Sequence, residues 1–243
     1  ALYDAQGRYG EAEPLLRRSL AIRENALGPL HPSVATGLNN LAELYRAQGR
    51  YGEAEPLYKR SLGIKEKTLT PAHPSVATGL NNLALLYRAQ GRYGEAEPLY
   101  QRALVIREYA LGPQHPHVGG SLNNLANLYN VQGRYREAEP LIKRALAIDE
   151  KALGPEHPDV ATDLSSLASL YHVQGRYGEA EPLFKRSLAI MEKALGPEHP
   201  DVATGLENYA GMLRATGRDP EAAELEARAL AIRAKHARYE RGT

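Results

Sequence analysis

Residues 80–100 read LNNLALLYRAQGRYGEAEPLY, and the same pattern returns along the chain every 42 residues with few changes. Glycines and His-Pro pairs keep the same period. They are Gly7, Gly49, Gly91, Gly133, Gly175 and Gly217, and the pairs that begin at His31, His73, His115, His157 and His199. A fixed period of this length is typical of stacked supersecondary units. The sequence therefore predicts a repeat protein whose function lies on a repeated surface.

Each period predicts two helices. In the first helix, which we name helix A, one face carries the apolar residues Leu38, Leu41, Ala42 and Tyr45. His31-Pro32 starts this helix, because proline suits the first helical turn, and Gly49 ends it. The second helix, helix B, is expected from about Arg50 to about Thr68.

The repeated glycines and His-Pro pairs divide the chain into units of one array. We interpret residues 1–243 as a single domain with a partial unit 1–31, in which residues 1–6 end a helix A. The full units are 32–73, 74–115, 116–157 and 158–199, and the last unit is 200–243. The truncated first unit suggests a fragment of a longer array. Residues 32–58 and 74–100 differ only at Glu43 and Leu85.

Charge and composition exclude several classes of protein. Thirty Lys and Arg against 29 Asp and Glu give a net charge of +1, which argues against binding to nucleic acid. The chain has no cysteine, which excludes disulfides and thiolate metal sites. No apolar run is long enough to span a bilayer, so we expect no membrane interaction and a cytoplasmic location by default.

Several motifs resemble one repeat family. Leu38-x-x-Leu41-Ala42-x-x-Tyr45 and Ala54-x-x-x-Tyr58 match the pattern of the tetratricopeptide repeat, although Leu38 replaces the usual tryptophan and the period is longer than usual. NNLA in helix A, G-x-Y-x-E-A-E-P-L at the turn and LG-x-x-HP in the connector look like the kinesin light chain class. The resemblance covers essentially the whole chain. It implies an all-α fold, a right-handed α-solenoid of antiparallel helix pairs that forms a superhelix.

The resemblance also implies a site. In this family helix A lines a concave groove that holds extended peptides, so the residues between the core positions become candidates. They are Asn39, Asn40, Arg46, Asn81, Asn82, Arg88, Asn123, Asn124, Asn127, Ser165, Ser166 and His172. An amide both donates and accepts hydrogen bonds, which suits a peptide backbone. Alternatively, one asparagine of each pair bonds the backbone of the neighbouring repeat. Arg46 and Arg88 would favour acidic residues in the ligand.

Other polar residues have ordinary structural explanations. The His-Pro histidines lie one repeat apart and cannot converge on a metal ion, so helix capping or connector packing explains them. The acids Glu53 and Glu55 are expected to stabilise the positive end of helix B. His117, Asp163 and His172 are unique but show no convergent spacing. We expect no catalysis, no metal and no cofactor.

The sequence thus predicts a noncatalytic protein-protein interaction scaffold that binds an extended peptide segment, with a protein or peptide as partner. One alternative is a structural module that self-associates through exposed terminal repeat faces. Another is the sensor or regulatory portion of a larger signalling protein.

Overall fold

Helices follow one another through residues 9–241, the part of the chain that the structure, a computed structural model, describes, and no strand occurs there. Side chains are described for residues 10–237. The helices are α1 Tyr9–Leu27, α2 Pro32–Ala47, α3 Tyr51–Thr68, α4 Pro74–Ala89, α5 Tyr93–Leu111, α6 Pro116–Val131, α7 Tyr135–Leu153, α8 Pro158–Val173, α9 Tyr177–Leu195, α10 Pro200–Ala215 and α11 Asp219–Arg241. The predicted end of a helix A in residues 1–6 lies outside the described residues.

The chain forms two compact units, Ala1–Pro113 with α1 to α5 and Gln114–Thr243 with α6 to α11. The A helices are the even-numbered ones and the B helices the odd-numbered ones. Within each unit, each A helix packs on the B helix that follows it, and each such pair packs on the next. The connections are short, so paired helices run antiparallel. The predicted all-α solenoid is confirmed.

The predicted start of helix A is confirmed at His31. This residue has extended backbone angles, and its Nδ1 atom accepts a hydrogen bond of 3.1 Å from the Ser33 N–H. That bond satisfies one of the N–H groups that a helix N-terminus leaves free. Pro32 has no backbone N–H group, so none is left unsatisfied at that position. The same cap recurs at His73, His115, His157 and His199. The histidines are therefore capping residues, as expected.

Gly49 ends α2 as predicted. Its φ of 72° lies in the left-handed region, which glycine adopts without a steric penalty. The Gly49 N–H then donates to the Arg46 carbonyl at 3.0 Å, and the Arg50 N–H donates to the Tyr45 carbonyl at 2.8 Å. This Schellman motif satisfies the last carbonyls of the helix and turns the chain into α3.

The buried face of helix A is wider than the predicted one. Leu38, Leu41, Ala42 and Tyr45 are buried, and so are Val34, Ala35 and Leu44 on α2. The reason is that α2 packs on two B helices, α1 and α3, rather than on one. Burying one such leucine contributes about 2 kcal/mol to the stability of the fold. Packing between repeats and packing within repeats therefore both stabilise the chain.

Successive repeats are joined by an acid of helix B. The Glu55 carboxylate accepts hydrogen bonds from Arg92 Nη1 at 2.7 Å and from the Tyr87 hydroxyl at 3.2 Å. The same contacts occur for Glu13, Glu139 and Glu181. Glu53 lies in the first turn of α3, as predicted. Glu55 lies beyond that turn, so the prediction that it stabilises the positive end of the helix is wrong. Its carboxylate contacts the next repeat instead.

Candidate functional site

The candidate residues lie on the A helices, between the positions that form the core. We name this the A-helix face and describe it separately in each unit. In the first unit it comprises Asn39, Asn40, Glu43 and Arg46 of α2, with Asn81, Asn82, Leu85 and Arg88 of α4. In the second unit it comprises Asn123, Asn124 and Asn127 of α6, Thr162, Ser165, Ser166 and His172 of α8, and Thr204, Glu207 and Asn208 of α10.

In the first unit, one asparagine of each pair joins neighbouring A helices. Asn82 Nδ2 donates to Asn39 Oδ1 at 2.9 Å. This bond resembles the structural alternative considered for the asparagines, except that the acceptor is a side chain and not the backbone. Asn40 is exposed and forms no hydrogen bond with the described residues, whereas Asn81 is buried. Asn40 is therefore the asparagine of this unit that is open to a ligand.

The two arginines of the first unit differ in their pairing. Arg46 Nη2 lies 2.8 Å from Glu43 Oε2 on the same helix. In α4 the corresponding position is Leu85, and Arg88 has no ion pair or hydrogen bond among the described residues. A single substitution between near-identical repeats thus leaves one guanidinium of this face uncompensated.

Both arginines act on the hydroxyl group of Tyr100. This tyrosine is 1% exposed, and its hydroxyl has no hydrogen-bond partner among the described residues. Burial raises the pKa of Tyr100 to about 12, and the positive charges of Arg88 and Arg46 oppose that rise. Because Glu43 balances the charge of Arg46, Arg88 is the arginine that leaves this end of the A-helix face positive and suited to an anionic group.

The second unit begins with an asparagine that is already bonded. Asn123 Nδ2 donates to Asp163 Oδ1 across the two A helices α6 and α8. Asn124 and Asn127 are both half-buried on α6, and Asn127 has no hydrogen-bond partner within residues 10–237. As in the first unit, the face offers a mixture of bonded and open amides.

A cleft of about 300 Å³ lies between α8 and α10. Its polar lining comes from Thr162, Ser165 and Ser166 of α8 and from Asp201, Thr204 and Asn208 of α10. Met191 and Leu195 of α9 supply apolar surface. Ser165, Ser166 and Asn208 have no hydrogen-bond partners among the described residues, so their donors and acceptors are open to a bound chain.

His172 lies beyond this cleft, near the end of α8. Its ring centroid is 5.9 Å from that of Tyr177, and its Cε1 atom lies beside the backbone of Gly211. The side chain is half-buried between helices of successive repeats. The structure therefore brings Ser165 and Ser166 together in one cleft and leaves His172 at a separate position on the same face.

Sequence reasoning missed one pair of buried acids. Asp163 of α8 and Asp149 of α7 are both buried, and the negative charge of Asp149 helps to raise the pKa of Asp163. The residues are 14 positions apart on different helices, so only a comparison between repeats could have shown the pair. At the same positions two periods earlier stand Lys65 and Gly79.

Two negative findings concern the described residues alone. No helix in residues 9–241 combines the length and apolarity that crossing a membrane requires. In the same part of the chain, no three His, Asp or Glu side chains are arranged to hold a metal ion.

Comparison with known proteins identifies the repeat. The family model described as "Tetratricopeptide repeat" matches residues 1–67, 75–150, 118–193 and 163–235. Among curated proteins, no significant match to the chain is found.

Solved structures give similar results. A crystal structure of a Podosopora anserina protein, described as a candidate kinesin light chain with nearly identical TPR-like repeats, is 33% identical, with a TM-score of 0.70. The match covers 85% of this chain and 98% of that one. A single-residue variant of the same protein is 34% identical over 86% of this chain and 98% of that one, with a TM-score of 0.71. BtubC (BKLC) from P. vanneervenii shares 24% identity over 98% of this chain and 92% of its own, with a TM-score of 0.74, which shows a common fold.

Proposed function

The chain belongs to the tetratricopeptide repeat family, and from that premise we propose that it is a noncatalytic scaffold that binds an extended, acidic peptide segment along its A helices. Tetratricopeptide repeats are protein-interaction scaffolds. The proposal adds the location of the ligand and its chemistry. The observation that carries it is the uncompensated Arg88 on the A-helix face of the first unit.

Arg88 supports an acidic ligand through charge. A guanidinium forms strong, often bidentate hydrogen bonds with a carboxylate. Arg46 is already neutralised by Glu43, at 2.8 Å, so a ligand carboxylate gains more from Arg88. The half-buried position of Arg88 reduces screening by solvent.

The open amides and hydroxyls support binding of an extended backbone. Asn40 in the first unit, and Ser165, Ser166 and Asn208 in the second, can each donate and accept a hydrogen bond. A peptide main chain presents both kinds of group at every residue. These side chains therefore suit the backbone of a peptide of any sequence. The charged positions would supply the preference for acidic residues.

The test uses a random peptide library displayed on phage and panned against the full chain. We expect the selected sequences to be enriched in Asp and Glu. Leu85→Glu should recreate the Glu43–Arg46 pairing on α4, neutralise Arg88 and weaken a selected acidic peptide about fivefold in fluorescence anisotropy, since one partly exposed ion pair contributes about 1 kcal/mol.

Glu43→Leu is the matched control, because it exchanges the same two residues in the opposite direction. It frees Arg46 and should strengthen the same peptide, while circular dichroism shows unchanged helix content in both variants. Selection of sequences without acidic enrichment, or equal affinities of the two variants, would contradict the proposed ligand chemistry.

Self-association through terminal repeat faces stays a separate proposal. The described feature that supports it is Ile22 of α1, which is 58% exposed, whereas its counterpart Ile64 in α3 is 2% exposed. An apolar side chain of this kind favours contact with another surface.

A further inference from the structure

A regular contact joins each B helix to the next A helix in the first unit. A long basic side chain of helix B lies across a glycine of helix A. The Cδ atom of Lys65 would be 3.6 Å from a Cβ atom on Gly79, and the Nη1 atom of Arg23 would be 3.7 Å from a Cβ atom on Gly37. Glycine at these positions leaves space for the basic side chain.

In the second unit, acids replace both partners of this contact between α7 and α8. Asp149 takes the basic position and Asp163 takes the glycine position. Asp149 is 5% exposed and Asp163 is 1% exposed. Burial of two carboxyl groups side by side is costly unless they are neutralised or hydrogen-bonded, so the exchange calls for a compensating interaction.

Two features of α6 adapt the contact to the two acids. Asn123 Nδ2 donates a hydrogen bond to Asp163 Oδ1. Gly119 replaces the alanine found in other repeats, and a Cβ atom there would lie only 2.9 Å from Asp149 Oδ1. The neighbouring helix is therefore fitted to both acids.

Among the described residues, no lysine or arginine is paired with either acid. The titratable groups that act on the pair are Asp159, on α8, and His157, at the start of that helix. From α6 the polar neighbour is Asn123, and α9 packs on α8 through the apolar residues Leu183, Ile190 and Met191. One oxygen of each carboxyl group, Asp149 Oδ1 and Asp163 Oδ2, has no hydrogen-bond partner among the described residues.

We propose that Asp149 and Asp163 share a proton and that this carboxyl pair holds α7 against α8, which makes the junction of these two repeats a pH-sensitive joint. With one proton the pair carries a single negative charge and an internal hydrogen bond. Loss of that proton leaves two adjacent buried carboxylates, which repel each other.

The direction of the pH dependence follows from proton binding. Burial raises the pKa of both residues, and the pKa of Asp163 reaches about 7 from an ordinary value of 3.8. Between these values the folded chain binds a proton that the unfolded chain has released. The contribution of the pair to stability is therefore complete at low pH and is lost as the pH rises toward 7 and above.

The experiment is urea unfolding of the full chain at pH 5 and pH 8, followed by circular dichroism. Because the pair loses its proton, the folding equilibrium constant should decrease on the order of 100-fold when the pH rises from 5 to 8. Asp163→Asn, which cannot ionise at that position, should remove most of this decrease. Asp201→Asn is the matched control, because Asp201 occupies the position of Asp159 in the next repeat, and it should retain the decrease.

A second measurement does not depend on a variant. Infrared spectra of the unmodified chain at pH 6 should show the carbonyl band of a buried protonated carboxyl group, and Asp149→Asn serves if Asp163→Asn does not fold. Absence of that band, or parallel pH profiles of the unmodified chain and the aspartate variants, would overturn the proposal. Stabilisation at pH 8 by calcium or magnesium chloride that is lost in Asp163→Asn would also overturn it, since the pair would then bind a cation.

Discussion

Single residues decide where the B helices α3 and α7 end. Helix α7 ends at Leu153 because Gly154 takes φ 91° and ψ 155°, a conformation that is essentially restricted to glycine. In the first unit Thr70 stands at the equivalent position, and α3 ends at Thr68, with Leu69 in an extended conformation. One residue in the connector thus shortens the helix by one position.

Gly154→Ala should destabilise the chain by about 1–3 kcal/mol, because a Cβ atom is strained at this φ whatever space surrounds it. Urea unfolding followed by circular dichroism measures the change. Thr70→Ala is the control at the equivalent connector position, where no left-handed residue is required, and it should be nearly neutral. Equal effects of the two substitutions would show that the backbone conformation is not the cause.

At this scale the sequence predicts conformation better than it predicts contacts. The glycine and proline positions indicate the caps, because each acts within four residues of itself. Arg88 could be selected as a groove residue, but its lack of a partner depends on Leu85, one helical turn away. The pairing of Asp149 with Asp163 depends on how two helices pack, and no local pattern contains that information.

At the scale of the helix, α3 contains a residue that its counterparts avoid. Gly63 lies inside this helix, and a Cβ atom built there would meet no atom within 4 Å. Alanine stands at the same position in α7 and α9, as Ala147 and Ala189. Glycine inside a helix is unfavourable because it loses more conformational freedom on folding than alanine does.

Gly63→Ala should therefore stabilise the chain by about 1 kcal/mol, measured as an increase in the urea midpoint. Gly119→Ala, which also converts a helical glycine, should have the opposite sign, because the added Cβ atom would lie 2.9 Å from Asp149 Oδ1. The prediction fails if Gly63→Ala lowers the midpoint.

Helix positions could be predicted almost to the residue, because His-Pro and glycine stand at both ends of every helix A. The width of the buried face could not. Periodicity indicates one apolar face, whereas α2 also buries Val34, Ala35 and Leu44 against a second helix. Partners in the next repeat, such as Asn82 for Asn39, lie about one period away and require the stacking geometry.

Across the whole molecule, the glutamates that join successive repeats make stability depend on pH in acidic solution. Hydrogen bonds from Arg92, and then from Lys59, hold the pKa of Glu55 at about 2 in the first unit. In the second unit Glu139 and Glu181 also have pKa values of about 2, because lysine on the same helix and arginine of the next repeat donate to them. The ordinary value for glutamate is 4.5.

We expect stability to be constant above pH 4.5, as far as these glutamates are concerned, and to fall as the pH approaches 2. The sign follows because the unfolded chain binds protons at pH values where the folded chain does not. Urea midpoints measured from pH 2 to pH 6 test this. Glu139→Gln should make the acid decrease shallower, and an unchanged slope would contradict the assignment. Together with the decrease expected toward pH 8, stability should be greatest in weakly acidic solution.

The spacing of these contacts has a consequence for how the gene can change. Tyr87 and Arg92 lie 32 and 37 residues after Glu55, and the same offsets separate Glu139 from Tyr171 and Arg176. Unequal recombination that deletes one whole repeat therefore joins two ends that already match. The Asp149–Asp163 pair is different, since its halves come from successive repeats, and loss of residues 158–199 would place Asp149 against Gly205. We therefore expect such a deletion to cost more stability at this junction than elsewhere in the array.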